Sequence, residues 1–258
     1  MPCETTRRSG GCVVLSLVTV IVAGLMPASA LAREVRVAVA ANFTGAAKEI
    51  SALFEKRHGH RAVLSFGSTG QLYTQITQGA PYEVLLAADQ ARPERLESEG
   101  RAVAKTRFTY ALGRLVLYST NKTLVRGRET LRGAGFMRLA IANPDTAPYG
   151  AAAVAAMTAL GVYEAVKPKI VQGNNIAQAY QFVAPGNAEL GFVALSQVAR
   201  SDAGSRWLVP ASLHQPIAQD AVLLKVGVDN GAARDLLAFM KGPEARVVIE
   251  KFGYGIGD

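Results

Sequence analysis

Three short polar loops carry the residues of this sequence that are best suited to binding a small molecule. They are Ala40-Ala41-Asn42-Phe43-Thr44, Phe66-Gly67-Ser68-Thr69-Gly70 and Asn143-Pro144-Asp145-Thr146-Ala147-Pro148-Tyr149-Gly150. Each loop leaves an apolar strand pattern and opens a helix pattern. Its free backbone N–H groups and its hydroxyl or amide therefore lie at the positive end of a helix dipole, where an anion binds without a counter-charge. The three loops together predict the capture of a small oxyanion.

Two residues in the first two loops also have simpler structural interpretations. Asn42 precedes a helix pattern, so it is also a candidate N-cap of that helix. Ser68 has a glycine on either side, which allows a ligand to approach the backbone closely but also fits an ordinary tight turn. The loop lacks the lysine and the spacing of a nucleotide phosphate loop, and it lacks the Gly-x-Ser-x-Gly pattern of a nucleophile elbow. Both residues are candidate donors to an anion.

The second half of the chain offers two further candidates. Tyr149 follows a proline at the start of an alanine-rich helix pattern, where its phenol either donates into a cleft or stacks at the surface. Asn174 and Asn175 predict a capping turn before Ile176, whose backbone N–H is then a candidate ligand contact. Asp145 would repel an anion, so we expect it to cap a helix or to face solvent.

The sequence gives little support for catalysis or for metal coordination by side chains. His58 and His60 lie beside Arg57 and Arg61, whose positive charge disfavours a bound cation, and no His-Glu-x-x-His spacing occurs. Ser68 as the nucleophile of a Ser-His-Asp triad stays open as an alternative, because triads occur in several chain orders. We expect no catalytic residue, no cofactor and no metal held by side chains.

The elements that must position these loops alternate between strand and helix patterns. Strands are predicted over residues 34–40, 61–66, 83–87, 108–119, 138–142, 169–171, 190–194 and 218–226. Helices are predicted over residues 44–58, 70–77, 93–98, 151–160, 176–183, 230–241 and 243–251. Alternation at the spacing of βαβ crossovers predicts an α/β layer structure.

Two long strand patterns divide the predicted fold into two lobes. Residues 108–119 predict a strand that passes from the first lobe to the second, and residues 218–226 predict a strand that returns. The first lobe then comprises residues 33–112 and 217–258, and the second comprises residues 113–216. We expect each lobe to be a sheet flanked by helices, with a ligand cleft between the lobes at the carboxyl ends of the strands.

The first 32 residues have the pattern of a removable export signal. Two arginines precede an apolar stretch of about 15 residues, which is short for a membrane span, and a small-residue cleavage site follows at Ala30 or Ala32. Both cysteines, Cys3 and Cys12, lie in this segment, so the remaining 226 residues contain no disulfide. Removing the segment changes the formal net charge from +8 to +7. The basic residues are scattered singly, which favours encounter with anions over a nucleic-acid interface.

The loops and the stretches beside them resemble the periplasmic molybdate-binding proteins of molybdate ABC transporters. The resemblance covers essentially the whole chain after residue 32 and runs through residues 39–44, 65–72, 75–89, 144–150 and 191–193. The most specific stretch runs from Gln78-Gly-Ala-Pro to Asp89. The resemblance implies the two-lobed, type II periplasmic-binding fold.

Carried onto this sequence, the resemblance places an oxyanion between Asn42 and Ser68 of one lobe and Tyr149 and Ile176 of the other. Ser68 would contribute its hydroxyl and its backbone N–H, and Ile176 mainly its backbone N–H. Two positions depart from the commoner family pattern. Asn42 stands where a serine is usual, and Ala194 stands where a tyrosine often supplies a phenol. We expect the Tyr149 phenol to replace the absent one.

The resemblance further implies a periplasmic receptor that binds molybdate, and tungstate as well, and delivers it to a membrane permease with a cytoplasmic ATPase. We expect a monomer without a nucleic-acid partner. A site for these fully deprotonated dianions needs donors and no carboxylate, which agrees with the loops. A receptor for sulfate, thiosulfate or another oxyanion stays open, because the oxygen positions of these anions differ too little for a sequence to separate them. A secreted serine hydrolase is the other alternative.

Overall fold

A computed structural model describes residues 1–5, 33–133 and 135–257 of the chain. The predicted export signal, including its cleavage site, falls on residues 1–32, of which residues 6–32 lie outside the described residues. Among the described residues, no single helix is long and apolar enough to cross a membrane.

The first part of the described chain alternates strands and helices, as predicted. Its elements are β1 (Glu34–Ala40), α1 (Thr44–His58), β2 (Arg61–Gly67), α2 (Thr69–Thr77), β3 (Val84–Leu86), α3 (Ala91–Ser98) and β4 (Phe108–Gly113). The predicted bounds of β1 and α1 are confirmed. In α1 the buried residues Ala46, Ala47, Ile50 and Phe54 recur at helical spacing and lie against the sheet.

A second alternation follows. Its elements are β5 (Leu115–Ser119), β6 (Leu139–Ala142), α4 (Pro148–Ala159), α5 (Tyr163–Val166), β7 (Ile170–Gly173), α6 (Ile176–Val183), β8 (Leu190–Ala194), α7 (Leu195–Val198) and β9 (Ser205–Leu208). The chain then adds β10 (Ile217–Leu223), α8 (Gly231–Lys241) and α9 (Pro243–Lys251). The predicted bounds of α6, β8 and α9 are confirmed.

The strands form two five-stranded sheets, each the centre of one lobe. The first sheet has the order β2-β1-β3-β10-β4, with β10 antiparallel to both of its neighbours. The second sheet has the order β7-β6-β8-β5-β9, with β5 antiparallel to both of its neighbours. The remaining pairs in both sheets are parallel. The predicted two-lobed α/β architecture is confirmed.

Each lobe has its own apolar core beside its sheet. Val35, Val37 and Val39 of β1 are fully buried in the core of the first lobe. In the second lobe the core includes Leu115 and Leu117 of β5, which are also fully buried. Burial of this apolar surface on both sides of the cleft holds each lobe together independently of any ligand.

Two predictions about strands need correction, and one strand was missed. Residues 108–119 form two strands in different sheets, because the chain turns at Arg114 to pass from one lobe to the other. The returning strand ends at Leu223, and Lys225–Gly227 forms a helical turn. The short strand β9 has alternating burial at the edge of its sheet and was not predicted.

Candidate functional site

A small cavity lies between the two lobes at the carboxyl ends of parallel strands. All four residues proposed from the sequence, Asn42, Ser68, Tyr149 and Ile176, line it. The other lining residues are Ala40, Ala41, Gly67, Thr69, Ala88, Ala147, Pro148 and Asn175. None of the lining residues carries a formal charge, so this cavity offers neutral groups alone to an occupant.

Four helical segments begin at this cavity, two from each lobe. In the first lobe they are the helical turn Ala41–Phe43, which continues into α1, and α2. In the second lobe they are α4 and α6. The first backbone N–H groups of a helix have no acceptor within the helix. Four helix N-termini therefore meet around one small space, and their helix dipoles give it a positive potential.

The two candidate residues of the second lobe, Tyr149 and Ile176, both occupy the first turn of a helix. Tyr149 is the second residue of α4, directly after Pro148. Ile176 is the first residue of α6, and the side chain of Asn175 accepts from Ala177 N at 3.0 Å and Gln178 N at 3.1 Å. The predicted capping turn at Asn175 is confirmed, and it leaves the Ile176 N–H without an acceptor within the helix.

Ser68 is the N-cap of α2 and forms a reciprocal pair with Gln71. The Ser68 Oγ accepts from Gln71 N at 3.4 Å, and Gln71 Oε1 accepts from Ser68 N at 3.3 Å. The backbone N–H of Ser68, which was expected to bind the anion, thus donates to Gln71 instead. The Ser68 hydroxyl acts only as an acceptor among the described contacts. The proton of that hydroxyl is available to an anion. The next residue, Thr69, also lines the cavity as the first residue of α2, and it was not predicted from the sequence.

Asn42 does not cap α1, so that interpretation is wrong. The N-cap of α1 is Phe43, which has no side-chain cap bond. The Asn42 amide instead donates to Gln219 Oε1 at 2.9 Å and to Tyr254 OH at 3.1 Å. Both N–H bonds of the side chain are used within the protein, because Asn42 lies in a helical turn that directs its side chain into the core. The donor that Asn42 retains for a ligand is its backbone N–H.

Tyr149 is 1% exposed, which excludes the surface-stacking interpretation. Its phenol oxygen accepts from Gln219 Nε2 at 3.2 Å. Desolvation by burial, followed by the influence of Tyr254, raises the pKa of the Tyr149 phenol well above its usual value. The phenol is therefore neutral at physiological pH. A Cβ at Gly113, the last residue of β4, would overlap the Tyr149 hydroxyl, so only glycine fits where the chain crosses between lobes.

Ala194 and Asp145 lie outside the lining of the cavity. Ala194 ends β8, is fully buried, and donates its backbone N–H to Gln197 Oε1 at 2.9 Å. Asp145 is exposed, so the prediction that this carboxylate faces solvent is confirmed. The described histidines also lie outside the lining; His60, for example, is paired with Asp235 at 3.5 Å. The residues around Ser68 therefore do not form a Ser-His-Asp triad.

Direct contacts between the lobes close the cleft beside the cavity. Gly70 N donates to Thr146 O at 2.8 Å, and Arg92 Nη2 donates to Asp145 O at 3.0 Å. Arg92 is held in turn by Asp89 Oδ2 of its own lobe at 2.6 Å. These contacts tie α2 and α3 of the first lobe to the loop that precedes α4.

Two residues of the network behind the cavity, Gln219 and Tyr254, were not predicted from the sequence. Gln219 is fully buried in β10, and Tyr254 OH donates to the carbonyl oxygen of Asn42 at 2.8 Å. The signal for Gln219 was the pair Gln219-Asp220 inside an otherwise apolar strand pattern, since a buried polar side chain needs a partner. For Tyr254, which lies after the last helix, the sequence held no such signal.

Comparison with known proteins gives consistent matches over most of the chain. Residues 35–255 match the family described as bacterial extracellular solute-binding protein. The molybdate-binding protein ModA of Azotobacter vinelandii is 54% identical over 244 residues, 93% of this chain and 97% of that protein. The ModA of Rhodobacter capsulatus is 53% identical over 225 residues, 87% of this chain and 89% of that protein. A solved structure of the Azotobacter vinelandii periplasmic molybdate-binding protein matches with a TM-score of 0.84 and 40% identity, covering 87% of this chain and 100% of that chain.

Proposed function

We propose the following function for this protein, which belongs to the family of bacterial extracellular solute-binding proteins. The protein captures molybdate between its two lobes and delivers it to an ABC transporter. Tungstate, an oxyanion of the same shape and charge, binds at the same place. The ligand that the ModA relatives are named for supports this choice.

The observation that carries the proposal is the composition of the cavity lining. All of its residues are neutral, and four helical segments begin there. Molybdate is a fully deprotonated dianion near neutral pH and offers only acceptor oxygens. A cavity with several donors and no carboxylate suits such an anion, whereas a protonated phosphate would gain from an acceptor in the site.

The expected contacts are the backbone N–H groups of Asn42, Tyr149 and Ile176, the hydroxyl of Ser68 and the phenol of Tyr149. Hydrogen bonds to a charged group contribute roughly 1.5–3 kcal/mol each. Several of them, after the cost of desolvating a dianion, correspond to a dissociation constant of about micromolar or below, roughly 8–12 kcal/mol. No lining group has to titrate and no bond has to break, so the site is a binding site without a catalytic residue or a cofactor.

The partners follow from the same family membership. The bound, closed form is presented to a membrane permease whose cytoplasmic ATPase is a separate chain. The protein works as a monomer in the periplasm, to which residues 1–32 direct it as a signal peptide. Closure supports this role, because donors on two lobes reach one anion together only when the cleft is shut.

Calorimetry of the protein without residues 1–32 tests the proposal with molybdate, tungstate, sulfate and phosphate. Molybdate and tungstate should bind with similar affinity. Sulfate and phosphate should bind at least about a hundredfold more weakly, a difference of roughly 2.7 kcal/mol. Equal or tighter binding of sulfate would overturn the molybdate assignment and leave a receptor for sulfate. Turnover of ester substrates that is lost in Ser68→Ala would indicate a hydrolase instead.

A further inference from the structure

We propose that Gln219 is a positioning residue that sets the spacing between the two halves of the anion site. Its side-chain amide joins Asn42 of the first lobe to Tyr149 of the second, and so selects among tetrahedral oxyanions by size. This inference rests on the proposed function.

The amide of Gln219 bridges the lobes through both of its ends. Gln219 Oε1 accepts from Asn42 Nδ2 at 2.9 Å and from Tyr110 OH at 3.1 Å. Gln219 Nε2 donates to Tyr149 OH at 3.2 Å. The acceptor end thus holds the first lobe and the donor end holds the second. A neutral side-chain amide can form both contacts, because its oxygen accepts hydrogen bonds and its nitrogen donates them.

The backbone that carries Gln219 is itself held in place. The register of β10 against β4 shifts between Gln219 and Asp220, which marks a bulge, and bulges re-aim side chains beside functional sites. Asp220 accepts from Arg107 Nη1 at 2.8 Å and from Thr109 Oγ1 at 2.6 Å. The bulge is therefore anchored on its far side, and the amide of Gln219 extends from a fixed point.

The residues on either side of the amide are those that line the cavity. Asn42 lies in one wall and Tyr149 in the other, and both are nearly fully buried. Asn42 is fixed further, because Tyr254 OH and Ser196 Oγ donate to its carbonyl oxygen at 2.8 and 2.9 Å. The chain of contacts from Asn42 through Gln219 to Tyr149 therefore fixes the distance between two donors to the anion. Sulfate and molybdate differ in size by tenths of an ångström, so a rigid spacing of donors discriminates between them.

The first test compares Gln219→Met with the parent protein. Methionine keeps the length and burial of the side chain but removes all three hydrogen bonds of the amide. We expect molybdate affinity to fall about tenfold and sulfate affinity to change less, so that the molybdate-to-sulfate ratio falls at least about fivefold. The matched control is Gln75→Met, which removes an exposed contact with Tyr82 but none with the cavity lining or with the bulge that carries Gln219. The control should keep the parent ratio.

The second test uses Gln219→Glu, which has nearly the same shape and keeps the acceptor end. The ionisable groups that face this position are the phenols of Tyr110, Tyr149 and Tyr254 and the adjacent Asp220, paired with Arg107. A carboxylate at this position would be separated from the bound dianion only by the lining residues Asn42 and Tyr149. We expect molybdate affinity of Gln219→Glu to fall as pH rises through the carboxyl's titration, while the parent affinity stays constant. Charge repulsion alone weakens the binding of both dianions, so the readout that separates the roles is the molybdate-to-sulfate affinity ratio of Gln219→Glu. The ratio should fall with rising pH if Gln219 sets the donor spacing and should stay at the parent value if its role is only structural.

The outcomes separate the two proposals. If the parent protein binds none of the four oxyanions, the proposed function fails and this inference fails with it. If the parent binds molybdate while Gln219→Met keeps the parent selectivity ratio within about twofold, only the role of Gln219 is overturned. If Gln219→Met does not fold, the molybdate-to-sulfate ratio of Gln219→Glu decides: a ratio that stays at the parent value as pH rises overturns the inference, and a ratio that falls supports it.

Discussion

The backbone N–H of Gly70 donates a 2.8 Å hydrogen bond to the carbonyl oxygen of Thr146 and so joins the two lobes beside the anion cavity. The approach is close enough that a Cβ at Gly70 would lie 2.9 Å from Thr146 Cα and 3.0 Å from its carbonyl oxygen. Glycine is therefore required at this position for the lobes to meet, although its place in the first turn of α2 does not itself call for glycine.

Gly70→Ala should weaken molybdate binding by opening the closed form. The methyl group pushes Thr146 away and removes a contact between the lobes, at a cost of about 1–2 kcal/mol in binding. The unliganded protein should be at least as stable as the parent, because alanine favours a helix over glycine. Calorimetry measures the affinity, and small-angle scattering with and without molybdate measures the compaction on binding.

The matched control for Gly70 is Gly231→Ala. Gly231 is the first residue of α8, and a Cβ at this position would have Arg33 Nη1 as its nearest neighbour, at 3.9 Å. This variant should bind and close like the parent. Parent-like affinity and compaction in Gly70→Ala would show that the contact with Thr146 does not contribute to closure.

Ser68→Ala should lose both affinity and stability. Loss of the hydroxyl donor to a buried anion costs roughly 1.5–3 kcal/mol of binding. The same hydroxyl caps α2, so the free energy of unfolding of the unliganded protein should fall by about 0.5–2 kcal/mol. Calorimetry and denaturant unfolding measure the two effects separately.

Asn230→Ala is the control for the loss of a helix cap. Asn230 accepts from Ala232 N at 3.1 Å as the N-cap of α8, outside the lining of the cavity. It should lower stability and leave molybdate affinity unchanged. If Ser68→Ala binds molybdate as the parent does, the loop around Ser68 is only a capping turn and the site lies elsewhere.

Much of the fold could be predicted because local patterns agree with the tertiary structure. The apolar spacing in α1 and the alternation in β1 were sufficient to give their bounds. The break at Arg114 was not predictable, because residues 108–119 are apolar on both sides of it. What divides them is that each half pairs with a different sheet, a long-range effect that no local pattern records.

The site was predictable at the level of loops but not of atoms. Capping residues and glycines brought Ser68 and Ile176 to attention, and both line the cavity. The direction of the Asn42 side chain was not predictable, because it depends on Gln219 and Tyr254, which lie 177 and 212 residues away in sequence. Whether a polar side chain binds a ligand or the protein is decided by such distant partners.

Tyr149→Phe tests whether the phenol of Tyr149 contributes to binding of the anion. The change keeps the ring but removes the acceptor of Gln219 Nε2, so a buried donor loses its partner. We expect molybdate binding to weaken by about 1.5–3 kcal/mol. Ala194→Tyr in the same protein should recover little of the loss, because Ala194 is fully buried and a large ring there would overpack the core.

The control for Tyr149 is Tyr82→Phe, which removes a phenol that donates to Gln75 Oε1 at 3.1 Å in an exposed contact. Its affinity should match that of the parent. Calorimetry measures the affinity of both variants. If Tyr149→Phe also binds molybdate with the parent affinity, the phenol does not contact the anion, and the backbone N–H groups and Ser68 bind it without the phenol.

The buried phenols give the protein a pH dependence that begins only in strong alkali. Burial is the largest cause that raises the pKa of Tyr110, Tyr149 and Tyr254 above the usual value of about 10. A pKa that is higher in the folded than in the unfolded state means that the folded state holds the proton more tightly. The stabilisation is fully present below about pH 10 and is lost as the pH rises above it.

Since no lining residue other than Tyr149 has an ionisable side chain, molybdate affinity should be constant from about pH 6 to 9. Calorimetry across that range, and denaturant unfolding with tyrosinate absorbance above it, measure both effects. Affinity that changes between about pH 6 and 9, or tyrosinate formed by these phenols before unfolding, would contradict a neutral, buried donor set.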